Sequence, residues 1–388
     1  MTEFIPLSVP NLKGNELKYV TEVVEKEWVS TGGDMITRFE SEFAKYLMVE
    51  AATACQSGTA GIHLALMLAN VGSGDEVIVP TLTFIAAVNP VRYVNADPIF
   101  MDCDDSLCMD ANKLETFCAN KCEVIDGRLI NKATKKHIKA VIVVHVFGNM
   151  ADMQSIIPIA NKYNLTVIED ATEALGTFHR QGIFKRKFAG TIGDYGVYSF
   201  NGNKIITTGG GGMLVSRNTD MVKRAKYLST QAKDDVVNFI HNEIGYNYRM
   251  TNLQAALGVA QLEQLEDFID VKTKNYQLYC DEFKSINSAS ILPFRDNIRP
   301  NYWFYSLVLN NYYRDDLIKY LSDNNIQTRP IWGLIHEQKP YKNCNSYRIE
   351  KAIEYYNNIV NIPCSTNLVE SQVCHVSELI KRFLSEKN

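Results

Sequence analysis

Short apolar runs alternate with segments of helical hydrophobic spacing along most of this chain, and the alternation predicts an α/β fold. Apolar residues recur at helical spacing in four segments, residues 60–68, 85–94, 111–119 and 153–163. Short apolar runs typical of buried strands lie between them, at residues 76–79, 98–102, 140–146 and 166–169. Strands that alternate with helices form mostly parallel sheets with helices on both faces. We therefore predict a parallel sheet at the centre of the molecule.

The two ends of the chain depart from this alternation. Near the N-terminus, helical spacing covers residues 12–28 and 37–47, with a turn at residues 30–33. After a long predicted helix at residues 250–265, the chain shows three further predicted elements, a β-rich run at 302–309, a helix at 315–324 and a strand at 327–330. At 388 residues the chain exceeds the size at which one core usually keeps growing. We expect a large α/β domain at residues 1–261 and a small α+β domain at residues 262–388.

A polar excursion at residues 123–137 interrupts the alternation. Because it contains Asp126-Gly127, a dipeptide that favours tight turns, we predict a surface hairpin there.

Composition narrows the possible partners and compartment. With 22% charged residues and a formal net charge of −4, the chain shows no clustered basic face of the kind that binds nucleic acid. The N-terminus has no basic region followed by an apolar stretch, and no run reaches the roughly 18 apolar residues that span a membrane. We expect a cytoplasmic protein without nucleic-acid or membrane partners.

The nine cysteines are odd in number and spread along the chain, which fits reduced thiols. Four of them, Cys103, Cys108, Cys118 and Cys122, cluster in sequence. Their spacings lack the two-residue knuckle typical of structural zinc, so we expect no metal site.

The chemistry resides in two residues at the ends of predicted strands. Asp170 ends the apolar run 166–170, and Lys204 follows 34 residues later, ahead of a glycine run at 209–212. Pyridoxal phosphate (PLP) chemistry needs an amine to form a Schiff base and a carboxylate to keep the pyridine nitrogen protonated. A carboxylate about 4 Å from that nitrogen contributes roughly 4 kcal/mol at an effective dielectric of about 20. Taken alone, Asp170 also fits a helix cap and Lys204 an ordinary solvated lysine.

An anion site is predicted at residues 56–60, directly before a helix. The free N–H groups of the first helical turn, with the hydroxyls of Ser57 and Thr59, form a cradle that suits a phosphate. Ser199 offers a further hydroxyl from the segment that carries Lys204. A simple N-cap at Ser57 explains the same pattern.

Six ordered motifs, which together cover essentially the whole chain, resemble the DegT/DnrJ/EryC1/StrS family of PLP-dependent sugar aminotransferases. They are Ser57-Gly-Thr-Ala60, Pro80-Thr-Leu-Thr-Phe84, His145-Val-Phe-Gly148, Glu169-Asp-Ala-Thr-Glu173, Ser199-Phe-Asn-Gly-Asn-Lys204, and Gly245-Tyr-Asn-Tyr-Arg-Met250 with Gln254-Ala-Ala256. The resemblance implies the aspartate aminotransferase-like fold (fold type I), with a mostly parallel seven-stranded sheet in the large domain.

The resemblance also implies roles for individual residues. Lys204 would be the Schiff-base lysine and proton shuttle, and Asp170 the pyridinium partner. The cofactor phosphate would be bound by Ser57, Gly58, Thr59 and Ser199. Phe84 would stack on the cofactor ring. Glu173 would lie near the cofactor's phenolic oxygen, where the family more often has His or Gln.

The family's assembly and reaction follow from the same resemblance. Asn247 corresponds to a residue that reaches the neighbouring subunit's phosphate, which implies a homodimer with two shared active sites. Some family members remove a sugar hydroxyl instead of transaminating and carry His at the Schiff-base position. Since this chain has Lys204, we expect transamination, with L-glutamate as amino donor.

The motifs are most similar to the branch acting in legionaminic-acid and related bacterial glycan pathways. This similarity implies a UDP-linked 2-acetamido-4-keto-6-deoxyhexose aminated at C4. The alternative is GDP-4-keto-6-deoxymannose, the substrate of GDP-perosamine synthases. Candidate contacts to the sugar nucleotide are Trp28, Ser30, Thr31, Arg329, Trp332 and His336; Trp332 fits the core equally well.

The sequence disfavours two other classes of protein. A PLP-binding regulator without turnover is disfavoured by the absence of a DNA-binding segment or basic surface. An NAD-dependent sugar enzyme is disfavoured because no predicted strand is followed by Gly-x-Gly-x-x-Gly.

Overall fold

The computed structural model describes residues 4–310 and 313–387. Its α-helices are α1 (Glu16–Glu25), α2 (Asp34–Leu47), α3 (Gly58–Leu68), α4 (Asn89–Tyr93), α5 (Ala111–Lys121), α6 (Met153–Lys162), α7 (Thr219–Ser229), α8 (Asn252–Leu262), α9 (Leu265–Phe283), α10 (Arg314–Asp323), α11 (Lys351–Asn358) and α12 (Glu370–Lys387). Its strands are β1 (Ala52–Cys55), β2 (Asp75–Pro80), β3 (Asp97–Met101), β4 (Cys122–Ile125), β5 (Arg128–Asn131), β6 (His137–Val144), β7 (Thr166–Asp170), β8 (Phe178–His179), β9 (Tyr195–Ser199), β10 (Gly212–Ser216), β11 (Ala289–Ile291), β12 (Ile298–Arg299), β13 (Tyr305–Leu309), β14 (Arg329–Pro330), β15 (Asn345–Tyr347) and β16 (Ile359–Ile362).

A mostly parallel sheet forms the centre of the molecule, as the alternating pattern predicts. Seven strands follow one another in the order β1-β10-β9-β7-β6-β2-β3. Only β10 runs antiparallel to its neighbours in this path. The central strands are buried on both faces, which explains their continuous apolar sequences.

Additional strands join this sheet at two places. The polar excursion forms the predicted hairpin: β4 pairs with β5 around Asp126 and Gly127, whose φ angles of 49° and 74° suit a tight turn. β5 then pairs with β6. At the β3 edge of the sheet, β15 comes from the C-terminal part of the chain and pairs in parallel with β3.

Three predicted helices differ from those observed. The helix predicted at 12–28 covers only α1, and Glu27 follows it with a left-handed φ of 58°. The helix predicted at 85–94 is divided into a 3₁₀ turn at residues 85–87 and α4, because Pro90 suits the first turn of a helix and not its interior. The helix predicted at 250–265 ends with α8 at residue 262, and α9 begins at 265.

The C-terminal part contains a second, antiparallel sheet in the order β11-β13-β16-β14. The N-terminal segment contributes to this region through a parallel bridge between Ile5 and Ile326. The domain division after residue 261 stays a prediction: it falls at the junction of α8 and α9, whereas β15 lies beyond it and joins the large sheet.

No helix within residues 4–310 and 313–387 combines the length and the hydropathy needed to cross a membrane. All nine cysteines are free thiols. In the same described ranges, no group of three or more His, Cys, Asp or Glu side chains is arranged to hold a metal ion.

Candidate active site

The N-terminus of α3 opens into a cavity at the carboxyl ends of the sheet strands. Ser57 is the N-cap of α3, and its Oγ accepts a hydrogen bond from the Ala60 N–H at 3.1 Å. The first turn of a helix carries unpaired N–H groups and the positive end of the helix dipole. Since Gly58 and Thr59 line the cavity, this helix end both is capped and offers an anion cradle.

The cavity has a volume of about 270 Å³ and brings together eight of the residues predicted from the sequence. These are Ser57, Gly58, Thr59, Phe84, Asp170, Glu173, Ser199 and Lys204. They come from four separate segments of the chain, so the folded sheet is what makes them neighbours.

Asp170 lies at the end of β7 and is buried. Its Oδ1 accepts a hydrogen bond from the Thr172 N–H at 3.0 Å. Burial raises the pKa of Asp170, although hydrogen bonds from Thr172 and the charge of Lys204 act in the opposite direction. A cationic ring nitrogen placed against this carboxylate would offset its burial.

Lys204 follows β9 in a turn, and its amine lies between two side chains. On one side, Nζ is 3.6 Å from Oε1 of Glu173. On the other side, Nζ lies 4.1 Å from the centroid of the Trp303 ring. The Trp303 indole N–H donates a hydrogen bond to the Asn203 carbonyl oxygen at 2.7 Å, which fixes the ring against the turn that carries Lys204. The amine is therefore held mostly away from water, with its side chain 12% exposed.

Glu173 is a second buried carboxyl group in the cavity. Its Oε2 accepts a hydrogen bond from the Phe147 N–H at 2.9 Å. Burial raises the pKa of Glu173 to about 7, even though the charge of Lys204 lowers it.

Close backbone contacts at glycines shape the cradle. A Cβ atom on Gly212 would lie 2.6 Å from the backbone carbonyl of Ser57. A Cβ atom on Gly58 would lie 2.9 Å from the Thr172 side chain and 3.0 Å from that of Ser199. Together with the amine and the buried carboxylate, these glycines form a cavity whose chemistry fits PLP: an anion cradle, an acceptor for a ring cation and a lysine.

Four candidate residues lie outside the cavity on the surface of this chain. Trp28, Ser30, Thr31 and Asn247 are all exposed. The segment at residues 28–31 is held by Asn252 at the start of α8, which donates hydrogen bonds to the carbonyl oxygens of Trp28 and Ser30. Their predicted roles toward a sugar nucleotide or a neighbouring subunit stay predictions.

The three candidates in the C-terminal part do not line the cavity either. Arg329 is exposed and lines a separate small cavity near α10. Trp332 packs on Phe147, with ring centroids 4.6 Å apart, so it supports the backbone that holds Glu173. Nδ1 of His336 lies 2.6 Å from the Thr81 hydroxyl, and burial lowers the pKa of this imidazole.

Sequence reasoning missed the two groups that position the amine and the second carboxyl. Trp303 lies in the run read only as β-rich, and nothing local indicates that it reaches Lys204. Phe147 lies in the motif at residues 145–148; its N–H bonds to Glu173, and its φ of 56° is left-handed. The sequence carries no signal for this φ.

Comparisons with known proteins point to one family of enzymes. The model of the DegT/DnrJ/EryC1/StrS aminotransferase family matches residues 10–381. A GDP-perosamine synthase of Escherichia coli O157:H7 is 37% identical over 99% of this chain and 100% of its own length. A putative pyridoxal phosphate-dependent aminotransferase, EpsN of Bacillus subtilis, is 34% identical over 98% of this chain and 96% of its own.

Two further similarities extend the comparison. A UDP-4-amino-4,6-dideoxy-N-acetyl-beta-L-altrosamine transaminase of Campylobacter jejuni is 28% identical, over 93% of this chain and 92% of its own length. Among solved structures, the aminotransferase TlmJ of Streptoalloteichus hindustanus matches with a TM-score of 0.88 and 25% identity over 100% of both chains.

Proposed function

Because the chain belongs to the DegT/DnrJ/EryC1/StrS aminotransferase family and is a PLP-dependent sugar aminotransferase, we propose that it moves an amino group from L-glutamate to C4 of a nucleotide-linked 4-keto-6-deoxyhexose. The observation that carries this proposal is the single cavity in which Lys204, Asp170 and the N-terminus of α3 meet. Glycan biosynthesis is the context in which such amino sugars are used.

In this proposal, each part of the cavity binds one part of the cofactor. Residues 57–59 and Ser199 hold the phosphate, and Asp170 holds the ring nitrogen. Phe84, whose side chain is half-exposed at the rim of the cavity, covers the ring. When bound, PLP supplies an aldehyde that links to an amine and a ring that accepts an electron pair. Lys204 provides that amine.

Lys204 also has the position of the proton carrier. It is the lysine that lines the cavity, and Trp303 and Glu173 restrict its amine to the space beside Asp170. A general acid–base group must stay within reach of both the atom that loses the proton and the atom that gains it. The enclosed Lys204 amine meets this requirement for the donor and for the keto sugar in turn, which predicts ping-pong kinetics.

The proposal also concerns which nucleotide is linked to the sugar substrate. The relative named GDP-perosamine synthase, 37% identical over the whole chain, favours a GDP-linked substrate. The resemblance to the legionaminic-acid branch and the 28% identical UDP-sugar transaminase support a UDP-linked 2-acetamido sugar as the second candidate, although the motifs near the cofactor do not separate the two branches. Both candidates undergo the same amination at C4.

A direct test incubates the PLP-loaded protein with L-glutamate and a panel of GDP- and UDP-linked 4-keto-6-deoxy sugars, and reads the products by mass. The expected result is an amino sugar from one nucleotide series, together with one equivalent of 2-oxoglutarate. Lys204→Ala serves as the inactive control. Lack of amination with every keto sugar, by protein that binds PLP, would overturn the proposal.

We also propose a homodimer with shared sites. The segment before Asn247 exposes several large apolar side chains: Val236 70%, Val237 84%, Phe239 69% and Ile244 83%. Exposed apolar groups that cluster in this way favour a protein interface. Asn247 itself is exposed and lies outside its own chain's cavity, as a residue that serves a neighbouring subunit would.

Mixed dimers test this arrangement. Lys204→Ala and Asn247→Ala chains are each expected to be weak alone, and mixing them is expected to restore activity in dimers that contain one intact site. Light scattering measures the assembly, with Val237→Asp expected to give monomers. No recovery on mixing would show that Asn247 acts within its own chain or not at all.

A further inference from the structure

The Lys204 amine and the Glu173 carboxyl group lie close together inside the cavity, and both are largely shielded from solvent. Nζ and Oε1 are 3.6 Å apart, and the two side chains are 12% and 2% exposed. Oε2 is already bound by the Phe147 N–H, so Oε1 is the oxygen that remains for a proton. The charged groups that bear on Glu173 are Lys204, from the turn after β9, and Asp170, from β7.

One residue of the C-terminal part bonds to the backbone of both Glu173 and Trp303, the two residues between which the Lys204 amine lies. Asn301 is fully buried, and its Nδ2 donates to the Glu173 carbonyl oxygen at 2.9 Å. Its Oδ1 accepts from the Trp303 N–H, also at 2.9 Å. Asn301 therefore bonds to the backbone of both residues that flank the Lys204 amine, through the carbonyl oxygen of Glu173 and the main-chain N–H of Trp303.

Charge balance decides the state of this pair. A buried carboxylate without a cation is strongly unfavourable, and Asp170 already places one negative charge nearby. When the Lys204 nitrogen carries a proton, Glu173 is stable as its carboxylate. When that nitrogen is neutral, Glu173 is stable only as the neutral acid.

We propose that Lys204 and Glu173 hold one proton between them. The proton lies on Nζ when the lysine nitrogen is cationic, and it moves to Oε1 as that nitrogen changes to its neutral form. In this step an N–H bond breaks and an O–H bond forms, and the summed charge of the pair stays zero. The inference rests on the proposed role of Lys204 as the amine that takes up the cofactor. Burial of Glu173, which raises its pKa to about 7, is consistent with it.

The test uses PLP-loaded protein without substrates and follows the visible absorbance of the bound cofactor against pH. In Glu173→Gln the amide oxygen keeps the bond to the Phe147 N–H, but the negative charge beside the Lys204 nitrogen is lost. Because an anion favours the protonated form of a neighbouring cation, the midpoint of the spectral change is expected to fall by at least about one pH unit.

Glu76→Gln is the matched control, because Glu76 is also a buried glutamate with a raised pKa. Glu76 lies near the start of β2, accepts a hydrogen bond from Asn131 and does not line the cavity. Its midpoint is expected to equal that of the wild type. A Glu173→Gln midpoint within about 0.3 unit of the wild type would overturn the proposal.

A second measurement needs neither loading nor turnover. In unloaded Lys204→Met, Glu173 has no cation, so the infrared carbonyl band of a protonated carboxyl group is expected at neutral pH and is expected to disappear in Lys204→Met/Glu173→Gln. Absence of the band would also overturn the proposal. A protein that shows the expected midpoints but aminates no sugar contradicts the proposed substrate alone.

Discussion

The buried ion pair between Arg249 and Glu40 holds the segment that contains Asn247. Arg249→Met tests how much this ion pair contributes to the stability of the protein. The two side chains are 6% and 9% exposed, and Arg249 Nη1 bonds to Glu40 Oε1. The same nitrogen donates to the Thr53 hydroxyl at 3.3 Å and to the Ala54 carbonyl oxygen at 3.1 Å. Arg249 thereby ties the 245–250 segment to β1 and to α2.

Removing Arg249 leaves a buried carboxylate without its main partner, which typically costs about 3–5 kcal/mol. Lys226, whose Nζ is 3.3 Å from the other carboxylate oxygen, lies half in solvent and compensates little. With an unfolding entropy of about 0.8 kcal/mol/K for a chain of 388 residues, the melting temperature is expected to fall by about 4–6 °C.

The effect has a pH dependence with a defined sign. Burial alone would raise the pKa of Glu40, but Arg249, the Ala54 N–H and Lys226 together hold it below its ordinary value. A lowered folded-state pKa contributes stability above the unfolded value of about 4.3, and this contribution is lost as the pH falls. Without Arg249, burial raises the pKa of Glu40, so the carboxyl takes up a proton more readily in the variant, and the stability difference between wild type and Arg249→Met is expected to be larger at pH 7 than at pH 4.

The assay is thermal and urea unfolding at both pH values, with Glu40→Gln/Arg249→Met as the control in which no charge is left unpaired. The double variant is expected to recover part of the loss. An Arg249→Met protein as stable as the wild type at pH 7, or a deficit that grows on acidification, would refute the reasoning.

Three other variants address the cavity itself. Lys204→Ala is expected to lose both the covalently held cofactor colour and transamination; retention of either, by absorbance and by 2-oxoglutarate release, would contradict its role. Asp170→Asn is expected to bind PLP but to lower kcat at least about 100-fold, because a neutral amide does not hold a ring cation; stopped-flow absorbance measures this, and an unchanged rate would contradict the assignment. Gly212→Ala is expected to weaken phosphate binding at least about tenfold by displacing the Ser57 backbone, whereas Gly72→Ala, with no atom within 4 Å of the added Cβ, is expected to be neutral; PLP titration compares the two, and equal affinities would argue against the cradle.

Periodicity predicted the sheet because its strands are buried on both faces. Continuous apolar runs such as residues 140–144 are typical of such strands when they are short, and the intervening helices leave few other topologies. The strand order was not predicted from the sequence. The ends of the helices were harder, since the break between α8 and α9 at residues 263–264 contains neither glycine nor proline.

The site was predictable where a residue's chemistry and its strand position agree. Asp170 is the last residue of β7 and Lys204 follows β9, and parallel strands bring their carboxyl ends to one edge of the sheet. Trp303 was not predictable, because it reaches Lys204 across about a hundred residues of chain and its sequence neighbours indicate only a strand. The contact depends on how the C-terminal part docks, which no local pattern encodes.

The pairing of β15 with β3 has a consequence for how such proteins diversify. A segment late in the chain completes the edge of the central sheet, while Trp303 and Asn301 complete the surroundings of an amine that belongs to the early part. Replacing the C-terminal part of this chain with that of a relative would therefore also replace the residues that surround the Lys204 amine. New sugar preferences in this lineage should arise more readily through point substitutions around the rim than through swapping of whole modules.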